Sequence, residues 1–201
     1  MVLLRRPSTV LVREFLASQS KLAFTYSAVG ATAIQPPSGY VVDHTRIKLG
    51  EGEEVFTKAK AALRRWEQFR LGWVAAWPLE TPIHPGEVVA IVARRVGLWW
   101  LNACRIVYVE DEPGPISRYG FAYGTLPDHA GTGEERFLVE WDHASGEIWY
   151  DILAFSRPQK FLTRLGYRYM RRLQKKFGKE SSAAMLRAVG NETGEAGFTF
   201  R

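Results

Sequence analysis

The feature that most constrains the fold is a run of β-type segments after Gly72 that ends in one long helix. These segments are rich in β-branched and aromatic residues, and short or proline-rich gaps separate them. The predicted strands are residues 73–77, 87–95, 98–110, 116–124, 135–142 and 147–155, the last two joined by a turn at 143–146. Gaps this short favour antiparallel neighbours. A twisted sheet of this size curls, and the helix can then lie across its concave face.

The closing helix is predicted from Gln159 to Val189, directly after Pro158. Its apolar residues recur at i+3/i+4 spacing, and basic residues cover most of the opposite face. The apolar stripe consists of Leu162, Leu165, Tyr169, Leu173 and Phe177. Nine Lys or Arg stand here against one acid, Glu180, so the net charge of +6 is concentrated in this helix.

The first 72 residues add one strand and two helices to this pattern. Residues 8–20 suit a short amphipathic helix capped by Ser8 or Thr9, and residues 27–39 form a turn-rich loop. Residues 39–50 alternate as a strand, and residues 53–69 carry an apolar helical stripe.

The predicted fold class is therefore α+β. A curved antiparallel sheet of about seven strands wraps around the long C-terminal helix, and a short helix precedes it. We expect an N-terminal helix and linker over residues 1–38, the main domain over 39–190 and a flexible tail over 191–201.

Composition fits one globular domain of 201 residues that is 46% apolar and 24% charged. No apolar run approaches the roughly 18 residues of a membrane span, and the opening MVLLRRPSTV does not read as a secretory signal. Cys104 is the single cysteine, which excludes an internal disulfide and a CxxC site. We expect a cytoplasmic protein.

Spaced residues over positions 39–189 resemble the family called domain of unknown function nineteen-ninety. The matching residues include Leu49–Gly52, Arg105–Val109, Gly120–Leu126, Gly133–Glu135, Trp149–Ile152, Phe155–Pro158, Leu165–Tyr167, Gln174 and Phe177. One departure is Arg168, where the family pattern has proline. The resemblance implies no known reaction.

The strand and helix order of that family is similar to the helix-grip superfamily of START and birch-pollen-allergen-like proteins. Those proteins wrap a sheet around a helix to hold apolar or aromatic small molecules, and some of them catalyse cyclisation or hydrolysis. The resemblance implies an apolar cavity between the sheet and the helix, which we expect to reach roughly 300 Å³ or more.

Glu135, His129 and Asp151 are the candidate catalytic residues. A buried carboxylate can reach a pKa near neutrality and then serve as a general acid or base. Glu134 and Glu135 are adjacent on a strand and face opposite sides, and parity places Glu135 on the side of Phe137. The alternative interpretation is that His129 and these acids only fix a turn.

Asp151 has two interpretations. It is either a polar anchor at the floor of an apolar pocket or half of a structural ion pair, with Arg105 as a candidate partner. The residues predicted to contact a ligand are Trp66, Arg105, Tyr123, Trp149, Tyr150 and Tyr169. Trp99 and Trp100 are adjacent, so one should face outward. An exposed tryptophan indicates an interface, and a homodimer is therefore a further prediction.

No metal or cofactor is expected, because the four histidines follow no ligand spacing and no Gly-rich loop has phosphate-binding spacing. Binding of a small hydrophobic or aromatic molecule is the leading functional hypothesis. A cofactor-free cyclase, isomerase or hydrolase that uses Glu, His and Asp is the alternative. A nucleic-acid-associated adaptor is a third hypothesis that rests on the basic helix alone, since the strands lack an RNA-binding pattern.

Overall fold

The computed structural model describes residues 1–158, 167–190 and 199–200 of the chain. The described helices are α1 (Thr9–Gln19), α2 (Glu53–Arg64) and α3 (Tyr167–Val189), with single 3-10 turns at Ala31–Ala33 and Glu67–Phe69. The described strands are β1 (Val2–Leu3), β2 (Val41–Glu51), β3 (Val74–Trp77), β4 (Val88–Arg95), β5 (Leu98–Glu112), β6 (Ile116–Thr125), β7 (Gly131–Asp142), β8 (Glu147–Pro158) and β9 (Thr199–Phe200).

Seven strands form one curled antiparallel sheet in the order β3-β4-β5-β6-β7-β8-β2. The two-residue strands β1 and β9 pair with β5 and β2. The register shifts between Lys48 and Gly50 in β2 and between Ile106 and Tyr108 in β5, and such irregularities bend a strand and increase its twist. The predicted α+β class and curved sheet are confirmed.

The concave face of the sheet holds the main core, and α2 and α3 cover it. Phe121, Phe137 and Tyr150 are fully buried there. The rings of Phe121, Phe137, Phe69 and Phe177 lie at edge or tilted angles, with Phe69 5.4 Å from Phe137 and 5.0 Å from Phe177. Such aromatic contacts add to the free energy that burial alone provides.

The convex face carries the N-terminal segment. Ser8 caps α1 by accepting a hydrogen bond from the backbone N–H of Leu11 at 3.2 Å, as the sequence predicts. Val12, Phe15 and Leu16 of α1 pack against apolar residues of β4 and β5. The segment that the sequence sets apart as a helix and linker is thus a second layer on the sheet.

Helix α2 is shorter than predicted, ending at Arg64 instead of continuing to residue 69. Trp66 takes a left-handed conformation with φ of 57°, which stops the helix. Its buried indole N–H donates to the carbonyl of Thr81 at 2.9 Å, and its ring lies 4.9 Å from that of Phe121. Packing of Trp66 and Phe69 into the core therefore overrides their place on a helical stripe.

Strands β7 and β8 are longer than predicted. β7 begins at Gly131 rather than residue 135, where Thr132 and Gly133 pair with Arg157 and Ser156 of β8. Glycine and threonine resemble a loop in a sequence, but paired backbone groups extend the ladder here. The extension brings the end of the sheet beside the first turns of α3.

The predicted helix start at Gln159, with Leu162 and Leu165, lies outside the described residues. Tyr169 is 44% exposed, while Leu173 and Phe177 are partly buried. The most buried face of α3 comes later, at Ser181, Met185 and Val189. Within the predicted tail over 191–201, the structure describes only the β9 residues, which pair with Thr45 and Arg46.

Trp99 faces the convex side, where β1 pairs with β5. The guanidinium groups of Arg6 and Arg94 each lie 5.9 Å from its ring centre. Its ring is therefore half-buried under the chain's own residues. The homodimer stays a prediction.

Candidate functional site

A cavity of about 210 Å³ lies between the concave face of the sheet and α3. It is smaller than the roughly 300 Å³ that the sequence analysis expects for a ligand site. Its apolar walls include Phe69, Val74, Ile91, Ile152, Leu173 and Phe177. Its polar residues include Arg95, Asn102, Tyr123, His129, Glu135 and Gln174. An apolar space with a few polar groups is the usual composition of a small-molecule site.

Glu135 and Tyr123 form a hydrogen-bonded pair at the cavity wall. They are directly opposite each other in the ladder between β6 and β7. The Tyr123 hydroxyl donates to Oε2 of Glu135 at 2.6 Å. Strand parity predicts that Glu135 faces inward with Phe137, and the structure agrees: both belong to the concave side.

The environment of this pair favours its neutral form. Burial raises the pKa of Glu135 to about 7, the hydrogen bond from Tyr123 opposes the shift, and the charge of Asp43 adds to it. Burial and the neighbouring Glu135 raise the pKa of Tyr123 well above its ordinary value. Glu135 can therefore accept or release a proton near neutral pH while Tyr123 stays protonated.

Cys104 and Tyr150 lie on the same side of the sheet and feel the charge of Glu135. Burial raises the pKa of the Cys104 thiol well above its usual value, so this cysteine is a buried apolar group rather than a nucleophile. The Tyr150 hydroxyl lies 2.9 Å from Oγ of Ser181 on α3. Tyr150 thus fixes the helix to the sheet and does not line the cavity.

His129 borders the cavity from the connection between β6 and β7. Its Nδ1 lies 3.0 Å from the backbone nitrogen of Gly131, which donates to it. Burial lowers the pKa of His129 to about 4, the backbone hydrogen bond with Gly131 opposes the shift, and the positive charges of Arg95 and the N-terminus add to it. His129 is therefore neutral at physiological pH, and its contacts agree with the turn-fixing interpretation.

Glu134 points the opposite way and belongs to the convex layer. Its carboxylate accepts hydrogen bonds from the Tyr26 hydroxyl at 2.7 Å, the Gly30 N–H at 2.7 Å and the Thr32 N–H at 3.0 Å. A side chain at Gly124 would collide with Tyr26, since a Cβ there would lie 2.1 Å from its hydroxyl oxygen. The sequence analysis missed Gly30 and Thr32 because it treats 27–39 only as a turn-rich loop, and it assigns no role to Tyr26.

Asp151 also lies on the convex face, so it is not the floor of the cavity. Its carboxylate contacts Nε2 of His44 at 2.6 Å and the guanidinium of Arg136 at 2.9 Å, with Arg46 at 3.4 Å. Burial alone would raise the pKa of Asp151, but His44 and Arg136 hold it below its ordinary value. The ion-pair interpretation fits these contacts.

Arg105 is not the partner of Asp151. Its guanidinium donates to the backbone carbonyls of Ser20 at 2.6 Å and Leu22 at 2.9 Å, after the end of α1. It also lies 5.3 Å from the ring centre of Phe24. Arg105 therefore ties the N-terminal segment to β5 and is not part of the described cavity wall.

Of the predicted aromatic contact residues, the structure brings only Tyr123 to the described cavity wall. Trp66 is buried in the core below α2, and Tyr150 bonds to Ser181. Trp149 lies on the convex side, where the Arg46 guanidinium is 5.1 Å from its ring. Tyr169 projects from α3 and is largely exposed.

Arg95 and Asn102 line the cavity although the sequence analysis does not select them. The side-chain amide of Asn102 is hydrogen-bonded at both its nitrogen and its oxygen, because it donates to the carbonyl of Ile91 and accepts from the backbone N–H of Ala130. Arg95 ends β4 and resembles a surface charge beside Arg94. Strand parity with Ile91 and Ala93 is the signal that places it on the concave side.

Within the described residues, no group of three or more His, Cys, Asp or Glu side chains is arranged to hold a metal ion. None of the described helices is long and apolar enough to cross a bilayer.

A curved antiparallel sheet closed by a C-terminal helix, with an apolar cavity between them, defines a helix-grip protein. Residues 25–184 match the family described as Domain of unknown function (DUF1990). The chain belongs to this family, and the resemblance noted in the sequence is confirmed.

Two relatives cover most of the chain. A UPF0548 protein of Dictyostelium discoideum is 39% identical over 93% of this chain and 95% of its own length. A UPF0548 protein of Arabidopsis thaliana is 37% identical over 75% of this chain and 74% of its own length. Among solved structures, the hypothetical protein jhp0584 from Helicobacter pylori covers 82% of this chain and 95% of its own, at 10% identity and a TM-score of 0.51. That similarity concerns the fold alone.

Proposed function

We propose that this protein binds a small hydrophobic or aromatic molecule in the cavity between the sheet and α3. The observation that carries the proposal is the cavity itself, an apolar space of about 210 Å³ bordered by the Glu135–Tyr123 pair. A well-packed interior leaves few voids larger than a water molecule, so a space of this size is not ordinary packing.

The cavity volume sets the ligand size. An apolar cavity of about 150 Å³ is large enough for benzene. A volume of about 210 Å³ therefore suits a molecule of one or two rings rather than a long lipid. The Glu135–Tyr123 pair supplies the polar contact that orients such a ligand.

The test uses 2-naphthol, an aromatic probe with one hydroxyl group. Saturable binding is measured by probe fluorescence and calorimetry, and native mass spectrometry of gently purified protein looks for a retained small molecule. At pH 8, above the pKa of about 7 of Glu135, Glu135→Gln should weaken 2-naphthol binding about tenfold to a hundredfold, as expected for a lost charged hydrogen bond.

The matched control is Glu134→Gln, which changes the adjacent carboxylate on the convex face. It should lower the free energy of unfolding and leave the affinity of the folded protein for 2-naphthol unchanged. The proposal fails if wild-type protein shows no saturable binding.

A cofactor-free acid–base enzyme is the second candidate, and the pKa of Glu135 near 7 favours it. Glu135 would transfer a proton to or from a ligand held in the cavity, with Tyr123 as a hydrogen-bond donor. Of the other two candidates, His129 has its Nδ1 in a backbone contact and Asp151 lies on the far face. Proton exchange from an enolisable cyclic ketone, followed by NMR in D₂O, tests this alternative: wild-type protein should accelerate exchange and Glu135→Gln should not.

A further inference from the structure

Arg95 places a positive charge at the cavity wall. It is the last residue of β4, and its side chain lies on the concave side with those of Ile91 and Ala93. Burial lowers the pKa of its guanidinium, yet arginine remains cationic at neutral pH. The cavity is thus an apolar space with a fixed cation in its wall.

Within the described residues, Arg95 has no acidic partner. Its Nη1 contacts Sδ of Met170 at 3.3 Å, its guanidinium lies 5.2 Å from the ring centre of Trp100, and its Nε is buried with no hydrogen-bond partner. A thioether is a weak acceptor, so these contacts do not compensate a buried charge.

Several other partly buried arginines of the sheet and of α3 are paired with acids. Arg136 pairs with Asp151, and Arg171 with Asp43, where Nη2 and Oδ1 are 2.6 Å apart. Arg46 and Arg118 both pair with Glu140. The chain supplies carboxylates at those places, whereas Arg95 is left facing the cavity without one.

The remaining charged groups at the cavity do not neutralise Arg95. Asp43 is occupied by Arg171, and Glu135 is bonded to Tyr123. His129 is uncharged at neutral pH, and the same arginine contributes to its low pKa. The end of the cavity near Arg95 and His129 therefore presents a cation with no acid bonded to it, and such a group favours an anionic ligand.

We propose that the natural ligand is a small organic anion, an apolar or aromatic body with one carboxylate group that pairs with Arg95. This inference rests on the proposed binding function and names its ligand class. A planar guanidinium binds a carboxylate through two parallel hydrogen bonds. A single arginine matches one carboxylate better than a phosphate dianion, which needs more donors.

The experiment compares 2-naphthoate with neutral 2-naphthol, two probes that differ in the group attached to the same ring system. Wild-type protein should bind 2-naphthoate at least about tenfold more tightly than 2-naphthol. Arg95→Met keeps an apolar chain and removes the charge. It should weaken 2-naphthoate binding about tenfold to a hundredfold and change 2-naphthol binding by less than about threefold.

The control is Arg94→Met, which removes the adjacent guanidinium from the exposed convex side. It should leave both affinities unchanged. Without ligand, the melting temperature of Arg95→Met should equal or exceed that of the wild type, because the variant no longer buries an unpaired charge. 2-Naphthoate should then raise the melting temperature of wild-type protein much more than that of Arg95→Met.

Two results would overturn the inference. If wild-type protein binds 2-naphthol and not 2-naphthoate, the cavity accepts neutral molecules, and the proposed binding function stands without its anion. If Arg95→Met binds both probes as the wild type does, the guanidinium is not the anchor. Binding of neither probe by wild-type protein would overturn the proposed function as well. Arg95→Lys, which keeps the charge and loses the planar fork, should retain part of the 2-naphthoate preference.

Discussion

Two adjacent glutamates of β7 face opposite sides of the sheet and have different surroundings. Glu134 accepts four hydrogen bonds from the N-terminal segment, and Glu135 faces an apolar cavity with one phenol as donor. The alternation of side chains along β7 separates them, which the sequence predicts correctly. The partners of Glu134 come from residues about a hundred positions away, and no local pattern indicates those.

The shifted pKa of Glu135 makes the free energy of unfolding depend on pH. Its pKa is about 7 in the folded protein against an ordinary value of 4.5. The folded state therefore holds this proton more tightly than the unfolded state. Protonation of Glu135 therefore adds about 3 kcal/mol to the free energy of unfolding below pH 4.5. This contribution is lost as the pH rises to about 7.

His129 acts in the opposite direction. Its pKa falls from 6.5 to about 4 on folding, so its contribution is present above pH 6.5 and is lost as the pH falls to about 4. The two effects oppose each other between about pH 4.5 and 6.5. We expect Glu135→Gln to gain stability relative to wild-type protein as the pH rises from 4.5 to 7. Urea unfolding at intervals of one pH unit measures the difference, and a difference that is constant with pH would contradict the shifted pKa.

Asp151 is the residue at which a structural role is expected. Its removal in Asp151→Ala leaves Arg136 and His44 without their acid between strands β2, β7 and β8. Loss of one partner of a buried ion pair costs about 3–5 kcal/mol. Thermal melts should show a large fall in melting temperature, while folded Asp151→Ala binds 2-naphthol as the wild type does. A weakened affinity with an unchanged melting temperature would return Asp151 to the ligand site.

At the scale of elements, the order of strands and helices follows from the sequence, and the boundaries do not. Periodicity identifies α2 but extends it over Trp66, whose left-handed conformation depends on a core that forms only in the folded protein. The same reason explains β7, whose first residues pair only because β8 lies beside them. The cavity-facing Arg95 was missed because a charge at a strand end usually lies in solvent.

The basic face of α3 allows a test of the helix orientation. Lys175 and Lys176 are exposed, and Lys176 lies 3.0 Å from Glu180 and 4.4 Å from the ring centre of Trp73. Lys175→Glu should change the free energy of unfolding by less than about 0.5 kcal/mol. Lys175→Glu with Lys176→Glu should still fold and lose about 1 kcal/mol, since an exposed ion pair and a cation–π contact disappear. Loss of folding in a urea melt would show that this face of α3 is buried.

The same helix is the basis of the nucleic-acid hypothesis, which stays a prediction. In the described part of α3, Arg171 and Lys176 have acidic partners within the protein. Ion pairs of this kind reduce the charge available to a phosphate backbone. Arg172, Lys175 and Lys179 stay exposed on this helix. The nucleic-acid hypothesis thus rests on charge alone, whereas the small-molecule proposal also rests on a cavity.

At the scale of the whole molecule, the sheet is packed differently on its two faces. On the convex face, α1 fills the space over β4 and β5, and Ala90 is completely buried there. On the concave face, α3 leaves a cavity beside Ala154, which pairs with both Glu135 and Asp43 in the sheet. A fold that packs one face closely and leaves space on the other is suited to hold a ligand on the open side.

Equal changes of volume on the two faces should therefore have opposite effects. Ala154→Leu places three extra carbons in the cavity, and cavity filling commonly stabilises a protein by about 0.5–2 kcal/mol. Ala90→Leu adds the same atoms beneath α1, where overpacking costs about 1–3 kcal/mol. Thermal and urea unfolding should show a stabilised Ala154→Leu that no longer binds 2-naphthol, and a destabilised Ala90→Leu that still binds it when folded. If Ala154→Leu is destabilised as much as Ala90→Leu, the concave side is packed in solution and has no room for a ligand. If it is stabilised and keeps its affinity, the probe binds elsewhere on the protein.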